Sequence, residues 1–196
     1  MLKELLLSQI KINDTQIEKL ENFSNLLLEW NKTHNLTGAK DLKRVYDNIL
    51  DSLLPYDFID TPKRILDVGS GAGFPAIALA VIYPNTQVVL CEPRIKRVAF
   101  LRYVALMLNL KNVKVVASRV EKMKDEAFDL ITSRAVTNTQ MLLNLTSHLQ
   151  NEQTKYLFYK GSGVMNELED IDSLFSYKIF QKNNRNYLYI KSNHVA

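Results

Sequence analysis

Three of the chain's six glycines lie within five positions, at Gly69, Gly71 and Gly73. They follow an apolar run, RILDV, and precede a second apolar stretch that opens at Pro75. A strand, a glycine turn and a helix in this order let backbone N–H groups approach a nucleotide-like ligand. The next apolar run, QVVLC, is followed by Glu92, whose carboxylate could accept hydrogen bonds from ribose hydroxyls. These residues predict a site for a ligand that contains a nucleoside.

The glycine spacing distinguishes this turn from two known kinds of turn that bind phosphate groups. In the dinucleotide pattern G-x-G-x-x-G, the third glycine lets the helix pack closely on the strand, and Phe74 stands at that position here. No Lys-Ser or Lys-Thr pair follows the turn, so the pattern is not a P-loop. The remaining pattern, G-x-G-x-G with an acid ending the second strand, is typical of the S-adenosylmethionine site of class I methyltransferases. A plain tight turn for the glycines and a solvated strand end for Glu92 are the structural alternatives.

The segment after the third apolar run, Ser118-Arg119-Val120-Glu121, has two interpretations that can hold together. It matches the helix capping box S-x-x-E. It also occupies the position at which the adenine ring of the bound nucleoside would lie.

A basic block distinguishes one part of the chain from the rest. Residues 94–124 hold nine basic residues and one acid, a net charge of +8, whereas the whole chain carries +4. The basic residues are Arg94, Lys96, Arg97, Arg102, Lys111, Lys114, Arg119, Lys122 and Lys124. Such a block indicates a polyanionic partner. A solvated helix face that lacks acids is an equally open alternative.

Side chains that several methyl-transfer chemistries require are missing from the expected positions. Methylation of an exocyclic amine calls for an acid or amide with prolines after the fourth strand, where residues 133–136 read SRAV. The only cysteine, Cys91, lies on a predicted strand and is expected to pack there. His34, His148 and His194 are scattered and predict no metal site. Guanine N7 has an in-plane lone pair and loses no proton, so its methylation would need positioning alone and no catalytic side chain.

Helices and strands alternate in the elements that must position these residues. Asp14 is the predicted N-cap of a first long helix, whose apolar positions recur at threes and fours to Trp30. A second amphipathic run covers 41–54. The strands RILDVG, QVVLCE, VKVVAS, FDLITS and TKYLFYK then alternate with helices over 75–82, 94–110, 138–149 and 164–174. The runs YKIFQK and NYLYIK close the chain, joined by residues 183–185.

This order predicts an α/β fold of the class I methyltransferase, Rossmann-like type. Alternating strands and helices favour a doubly wound, mostly parallel sheet, and the short last connection favours an antiparallel final strand. We expect an N-terminal helical extension over 1–60 and an S-adenosylmethionine-binding domain over 61–196. In such a sheet a ligand binds beyond the carboxyl ends of the strands.

Length and composition are those of one soluble globular protein. A chain of 196 residues can bury one good core. A single cysteine excludes an internal disulfide, and no stretch approaches the roughly 20 apolar residues of a membrane span. The first residues lack the features of a signal peptide. We therefore expect a cytoplasmic protein, a monomer without membrane attachment.

Short motifs in one consistent order resemble a known family. They are WNKTHNLT at 30–37, NILDSL at 48–53, DVGSGAGFP at 67–75, KRV at 96–98, SRVE at 118–121, FD at 128–129, SRA at 133–135 and KG at 160–161. In this series the chain resembles the bacterial small-subunit (16S) ribosomal RNA guanine-N7 methyltransferases, also called glucose-inhibited division protein B. The resemblance runs from about residue 14 to the end, and WNKTHNLT with ILDS is more specific than the glycine turn.

The resemblance implies methyl transfer from S-adenosylmethionine to N7 of one guanine in 16S ribosomal RNA, free or in the small ribosomal subunit. The cofactor contacts that it implies fall on Gly69, Phe74, Val120, Glu121 and Arg134, beside Gly71, Gly73 and Glu92 from the pattern above. Candidate contacts to RNA are Lys96, Arg97, Arg119 and Lys160, of which Lys160 has no assigned role.

The chain departs from the family pattern at a few positions. Glu92 stands in place of the usual Asp and keeps the carboxylate, Ala76 replaces a glycine, and Asn48 replaces a histidine. Residues 93–95 replace a more typical small, Gly-containing stretch. None of these changes removes an implied cofactor contact.

Two other functions stay open. One is an S-adenosylmethionine-dependent enzyme with a small-molecule or protein substrate, for which the basic block is only a solvated face. The other is a noncatalytic RNA-binding protein that retains the fold. The helical extension either helps to shape an RNA surface or uses Trp30 only as an anchor in the core.

Overall fold

The computed structural model describes residues 2–168, 171, 175–183 and 185–192. Its helices are α1 (Leu2–Leu7), α2 (Asp14–His34), α3 (Leu42–Leu53), α4 (Ala76–Ile82), α5 (Ile95–Met107), α6 (Thr139–Thr146) and α7 (Val164–Leu168). Its strands are β1 (Arg64–Val68), β2 (Gln87–Cys91), β3 (Val113–Val116), β4 (Leu130–Arg134), β5 (Lys155–Lys160), β6 (Phe175–Lys182) and β7 (Arg185–Ser192). The predicted continuation of α7 to residue 174 falls largely outside the described residues, as does residue 184 of the predicted connection over 183–185.

The longest helix, α2, is capped one residue before the predicted position. The side chain of Asn13 accepts a hydrogen bond from the Gln16 N–H at 2.9 Å, and the Gln16 side chain accepts one from the Asn13 N–H at 3.0 Å. This reciprocal pair is a capping box. Asp14 as the N-cap was therefore wrong, because it is already the first helical residue. At the other end Asn35 adopts a left-handed conformation, φ 49°, and ends the helix.

The seven strands form one sheet in the order β3-β2-β1-β4-β5-β7-β6. The first five strands are parallel to one another. Strand β7 lies between β5 and β6 and is antiparallel to both. The predicted class I methyltransferase sheet with an antiparallel last strand is thus confirmed. Strand order reverses between β1 and β4, which opens a cleft beyond their carboxyl ends.

Two layers of buried side chains enclose the sheet. On one face the helical extension shares a core with α4 and α5, in which Phe23, Ile49, Ile77 and Phe100 are all fully buried. On the other face α6 and α7 cover a second core. The extension is therefore packed onto the sheet domain, while the boundary near residue 60 stays a prediction. Among the described helices, none combines the length and apolar character needed to cross a membrane.

Trp30 anchors the extension to α5. Its ring lies 5.5 Å from that of Phe100 and 5.4 Å from that of Tyr103, measured between centroids. The side chain is half-buried against the first core. These contacts support the interpretation of Trp30 as a core anchor.

Candidate functional site

A hollow of about 470 Å³ lies at the carboxyl edge of the sheet, between the ends of β1 and β4. Four segments line it: the glycine turn, the residues after β2 with Arg97, the residues after β4, and two residues of the helical extension. The lining residues are Leu36, Thr37, Gly69, Ser70, Gly71, Ala72, Phe74, Glu92, Pro93, Arg94, Arg97, Arg134, Ala135 and Val136. The place is the one expected for the ligand of a doubly wound sheet.

Two positions of the glycine turn would be strained by any side chain. Gly69 has a φ of +70°, and a Cβ there would lie 2.5 Å from a methyl carbon of Val136. Gly73 has a φ of +95°, and its Cβ would lie 2.8 Å from the Ile77 side chain. Gly73 therefore faces the core and lets α4 pack, whereas Gly69 and Gly71 line the hollow. The tight turn allows α4 to pack, and it also brings backbone atoms to the wall of the hollow.

Backbone N–H groups donate hydrogen bonds to both carboxylate oxygens of Glu92. Its Oε2 accepts a hydrogen bond from the Gly71 N–H and its Oε1 one from the Arg94 N–H, both at 2.9 Å. The guanidinium of Arg97 lies 3.7 Å from Oε2. Because only 2% of Glu92 is exposed, the alternative that it is a solvated strand end is excluded. Each carboxylate oxygen retains a lone pair, so the group can still accept hydrogen bonds from a ligand.

Arg134 ends β4 with its guanidinium over the ring of Phe74, 4.9 Å from the centroid. Its Nη1 donates to Asn48 Oδ1 at 3.1 Å and to Asp51 Oδ2 at 3.3 Å. Burial lowers the pKa of this guanidinium, and the carboxylate of Asp51 opposes that shift. Within the described part of the chain, Nε and Nη2 have no hydrogen-bond partner. Two donors of a fixed fork are thus available to an anionic group in the hollow.

Asp67 is a buried acid that the sequence prediction missed. It lies in β1 just before the glycine turn, 1% exposed, and its Oδ1 accepts a hydrogen bond from the Thr132 hydroxyl at 2.9 Å. Its Oδ2 has no hydrogen-bond partner among the residues that the structure describes. Burial raises the pKa of Asp67 to about 7. The signal available in the sequence was an acid inside an otherwise apolar strand. Asp67 does not line the hollow.

The segment after β3 differs from its prediction. Residues 120–122 form a single 3-10 turn, and the hydroxyl of Ser118 donates to the Arg119 carbonyl at 2.9 Å. The capping-box interpretation was therefore wrong, because no backbone N–H of a following helix reaches that hydroxyl. Val120 is buried in the second core and Glu121 is exposed, and neither lines the hollow. Their contact with a cofactor stays a prediction.

The candidate RNA contacts fall into two groups. Lys96 and Arg119 are exposed near the carboxyl ends of the strands, and half-buried Arg97 stands between Glu92 and solvent. Lys160 is only 9% exposed, and its ammonium lies 2.6 Å from a carboxylate oxygen of Glu167. In this structure Lys160 thus holds α7 against β5, and its contact with RNA stays a prediction.

The basic block as a whole does not form one patch. Eight of its nine basic residues are exposed, all except Arg97. Lys111 and Lys114, however, lie beside the amino end of β3, away from the hollow, and Lys114 pairs with Asp125 at 3.4 Å. The positive charge near the hollow therefore comes from the start of α5 and the turn after β3.

The described residues support neither a cysteine nucleophile nor a metal site. Cys91 is 1% exposed with its sulfur 3.2 Å from the Ser118 carbonyl, and burial raises its thiol pKa to about 12. The packing role expected for Cys91 is therefore confirmed. His34 and His148 are exposed, while His194 lies outside the described residues. No cluster of three potential metal ligands occurs where the structure is described.

Comparison with known proteins gives a consistent result. The family model for rRNA small subunit methyltransferase G matches residues 16–196. The ribosomal RNA small subunit methyltransferase G of Aliarcobacter butzleri is 47% identical over 192 residues, which cover 97% of this chain and 98% of the relative. The protein of the same name from Wolinella succinogenes is 45% identical over 180 residues, 92% of either chain.

Solved structures with low identity share the fold. The cofactor-bound Rv0187 from MTB aligns with a TM-score of 0.68 at 16% identity, over 97% of this chain and 95% of that one. A variant of MtNAS in complex with S-adenosylmethionine aligns with a TM-score of 0.61 at 13% identity, over 89% of this chain and 74% of that one.

Proposed function

Because the chain belongs to the rRNA small subunit methyltransferase G family, we propose that it methylates N7 of one guanine in 16S ribosomal RNA. It is an S-adenosylmethionine-dependent methyltransferase of small-subunit ribosomal RNA, as the family membership states. The choice of guanine N7 comes from the family resemblance, and the chemistry of the hollow agrees with it. We further propose that the protein acts as a monomer in the cytoplasm.

The observation that carries the proposal is the hollow at the end of β1, which is lined by the acid Glu92, by the guanidinium of Arg134 and by the glycine turn. Glu92 is placed to accept hydrogen bonds from the ribose hydroxyls of the cofactor. The free Nε and Nη2 of Arg134 are placed to bind an anionic group, such as the carboxylate of its methionine part. Val120 and Glu121 are proposed to contact the adenine. When bound, the cofactor supplies a methyl group activated by a positively charged sulfur.

Guanine N7 suits a hollow without a free general base. Among the side chains that line it, Glu92 is the single carboxylate, and it is already held by two backbone N–H groups and Arg97. Attack by the N7 lone pair forms the C–N bond and breaks the S–C bond, leaving S-adenosylhomocysteine. The positive charge passes from sulfur to the purine, and no proton is lost. Holding N7 in line with the methyl group is then the main contribution of the protein.

We propose that the RNA approaches over Lys96, Arg97 and Arg119, which surround the hollow on the side of α5 and β3. Contacts of lysine and arginine to phosphates position an RNA without reading its sequence. The affinity should therefore fall steeply as the salt concentration rises.

A methyl-transfer assay tests the proposal. The purified protein is incubated with methyl-labelled S-adenosylmethionine and small ribosomal subunits from cells that lack the activity, and the RNA is digested to nucleosides. We expect label in 7-methylguanosine, reduced about 100-fold or more by Arg134→Ala. Arg64→Ala is the matched control, because Arg64 is similarly buried and ion-paired but lies at the opposite end of β1.

Other outcomes of this assay would contradict the proposal in different ways. Label in a different nucleoside would refute guanine N7 and retain the RNA substrate. No label in any nucleoside, with cofactor binding demonstrated separately, would indicate a substrate other than RNA. Neither label nor cofactor binding would favour a noncatalytic RNA-binding protein.

A further inference from the structure

Asp51, on the last turns of α3, lies at a junction of three separate parts of the chain. Its carboxylate accepts hydrogen bonds from Arg134 Nη1 at 3.3 Å, from Arg185 Nε at 3.0 Å and from the Tyr187 hydroxyl at 2.9 Å. Arg134 ends β4, and the other two residues lie on β7. The side chain of Asp51 is only 12% exposed. One buried carboxylate thus connects the helical extension, the parallel sheet and the last strand.

We propose that Asp51 is a positioning residue that holds the Arg134 guanidinium in the orientation needed to bind the cofactor. The proposal rests on the proposed role of Arg134 at the hollow and deepens it. Asp51 itself does not line the hollow that Arg134 lines, so it acts through Arg134.

The geometry of the guanidinium supports this role. Both anchors of Arg134, Asp51 and Asn48, bind the same nitrogen, Nη1. The planar fork therefore has one fixed nitrogen, with Nε and Nη2 left for a ligand. The ring of Phe74 below the guanidinium removes the remaining freedom of tilt.

Electrostatics gives the carboxylate a role that a neutral residue would not fill. Two guanidinium groups, Arg134 and Arg185, approach the same carboxylate from different sides. Without its negative charge, these two cations, whose side chains are 18% and 39% exposed, would repel each other. We expect Arg134 to turn away toward solvent and to lose its alignment with the hollow.

The helical extension would then take part in cofactor binding through α3. This explains physically why a short helical motif, NILDSL at 48–53, lies near a site formed mainly by strand ends. Asn48, where this chain departs from the family pattern, still provides an oxygen acceptor to Arg134 at 3.1 Å.

Equilibrium dialysis with labelled S-adenosylmethionine tests the proposal, because it needs no RNA and does not depend on which atom is methylated. We expect Asp51→Asn to weaken binding by about tenfold or more. In an Arg134→Ala background the same substitution should weaken it by less than about twofold, since the partner is gone. Asp47→Asn is the control, because Asp47 lies one turn earlier on α3, has a side chain that is 45% exposed and pairs only with Lys43 among the described residues.

An equal loss of affinity in both backgrounds would show that Asp51 acts through general stability, and no loss in either would show that it does not act at all. Either result overturns the proposal. A second readout does not require the Arg134→Ala protein to bind. Hydrogen exchange of the Arg134 Nη1 protons, which donate to Asp51 and Asn48, should accelerate about tenfold in Asp51→Asn and stay unchanged in Asp47→Asn, as followed by NMR. Unchanged exchange in both would equally contradict the proposal.

Discussion

The buried acid of β1 makes the stability of the protein depend on pH in a direction that can be worked out. Burial raises the pKa of Asp67 from 3.8 to about 7, against a hydrogen bond from Thr132 and the charge of Arg134, both of which lower it. The folded protein therefore binds a proton at Asp67 more tightly than the unfolded chain does. Stability must fall as the pH rises from 3.8 to about 7 and then stay level with respect to this group.

The difference between the two pKa values sets the magnitude. About three pKa units correspond to roughly 4 kcal/mol in total. Between about pH 5 and 8 the expected part is roughly 2–3 kcal/mol, because the unfolded chain is already ionised at the lower value. Asp67→Asn places a neutral group of nearly the same shape there and removes this dependence. The variant should therefore gain stability over the wild type by that amount across this range.

Urea unfolding at several pH values measures this gain. Trp30 is the single tryptophan, and its packing against two aromatic rings of α5 makes its fluorescence a natural signal. Asp47→Asn is a suitable control, since the Asp47 side chain is only partly buried on α3, and its difference from wild type should stay constant. A constant difference for Asp67→Asn, to within about 0.5 kcal/mol over this pH range, would refute the reasoning.

Three further predictions concern the turn, the cysteine and the basic surface. Gly73→Ala should destabilise the fold by roughly 2–4 kcal/mol in chemical denaturation, because its Cβ would lie 2.8 Å from a side-chain carbon of Ile77 at a φ of +95°. The control Gly161→Ala should cost less than about 1 kcal/mol, because a Cβ there would have nothing within 4 Å. Equal costs for the two variants would contradict this geometry. Cys91 should react with iodoacetamide roughly 100-fold more slowly in the native protein than in urea, and fast native alkylation would disprove its burial. Arg119→Ala should weaken binding to small-subunit RNA and reduce the slope of log affinity against log salt by about 1, while Lys111→Ala leaves both unchanged; the reverse pattern would place the RNA at the other end of the sheet.

The sequence allowed much of the sheet to be predicted, because its signals are local. Apolar runs and helical periodicities alternate, and the last two strands are joined too closely for a crossover. The position of β7 between β5 and β6 is a long-range pairing that was not predicted. It has a physical reason, since Leu188 and Ile190 on β7 are fully buried, whereas β6 is partly exposed along its length. A central strand must be the more apolar of the two.

Part of the site could be predicted for the same reason. The glycine turn and Glu92 come from spacing behind the strands, whereas Arg134 comes from the family resemblance. The contribution of Asp51 could not be predicted, because it depends on a contact between residues 83 positions apart. Nor could spacing show that Leu36 and Thr37, far earlier in the chain, line the same hollow.

Lys160 shows the limit of reasoning from a motif. Lys160 is a candidate RNA contact only because KG at 160–161 belongs to the motif series that carries the family resemblance. In the structure Glu167, seven residues later on α7, provides a carboxylate oxygen 2.6 Å from the ammonium. A buried ion pair of this kind requires the positions of two elements, and the sequence gives only their order.

The central claim, that the hollow at the end of β1 holds the methyl donor, is tested most directly by a crystal structure of the protein with S-adenosylhomocysteine. We predict that the ligand lies in this hollow with its ribose hydroxyls at Glu92 and its carboxylate at Arg134. A ligand bound elsewhere on the chain, or one in the hollow that touches neither residue, would contradict the account.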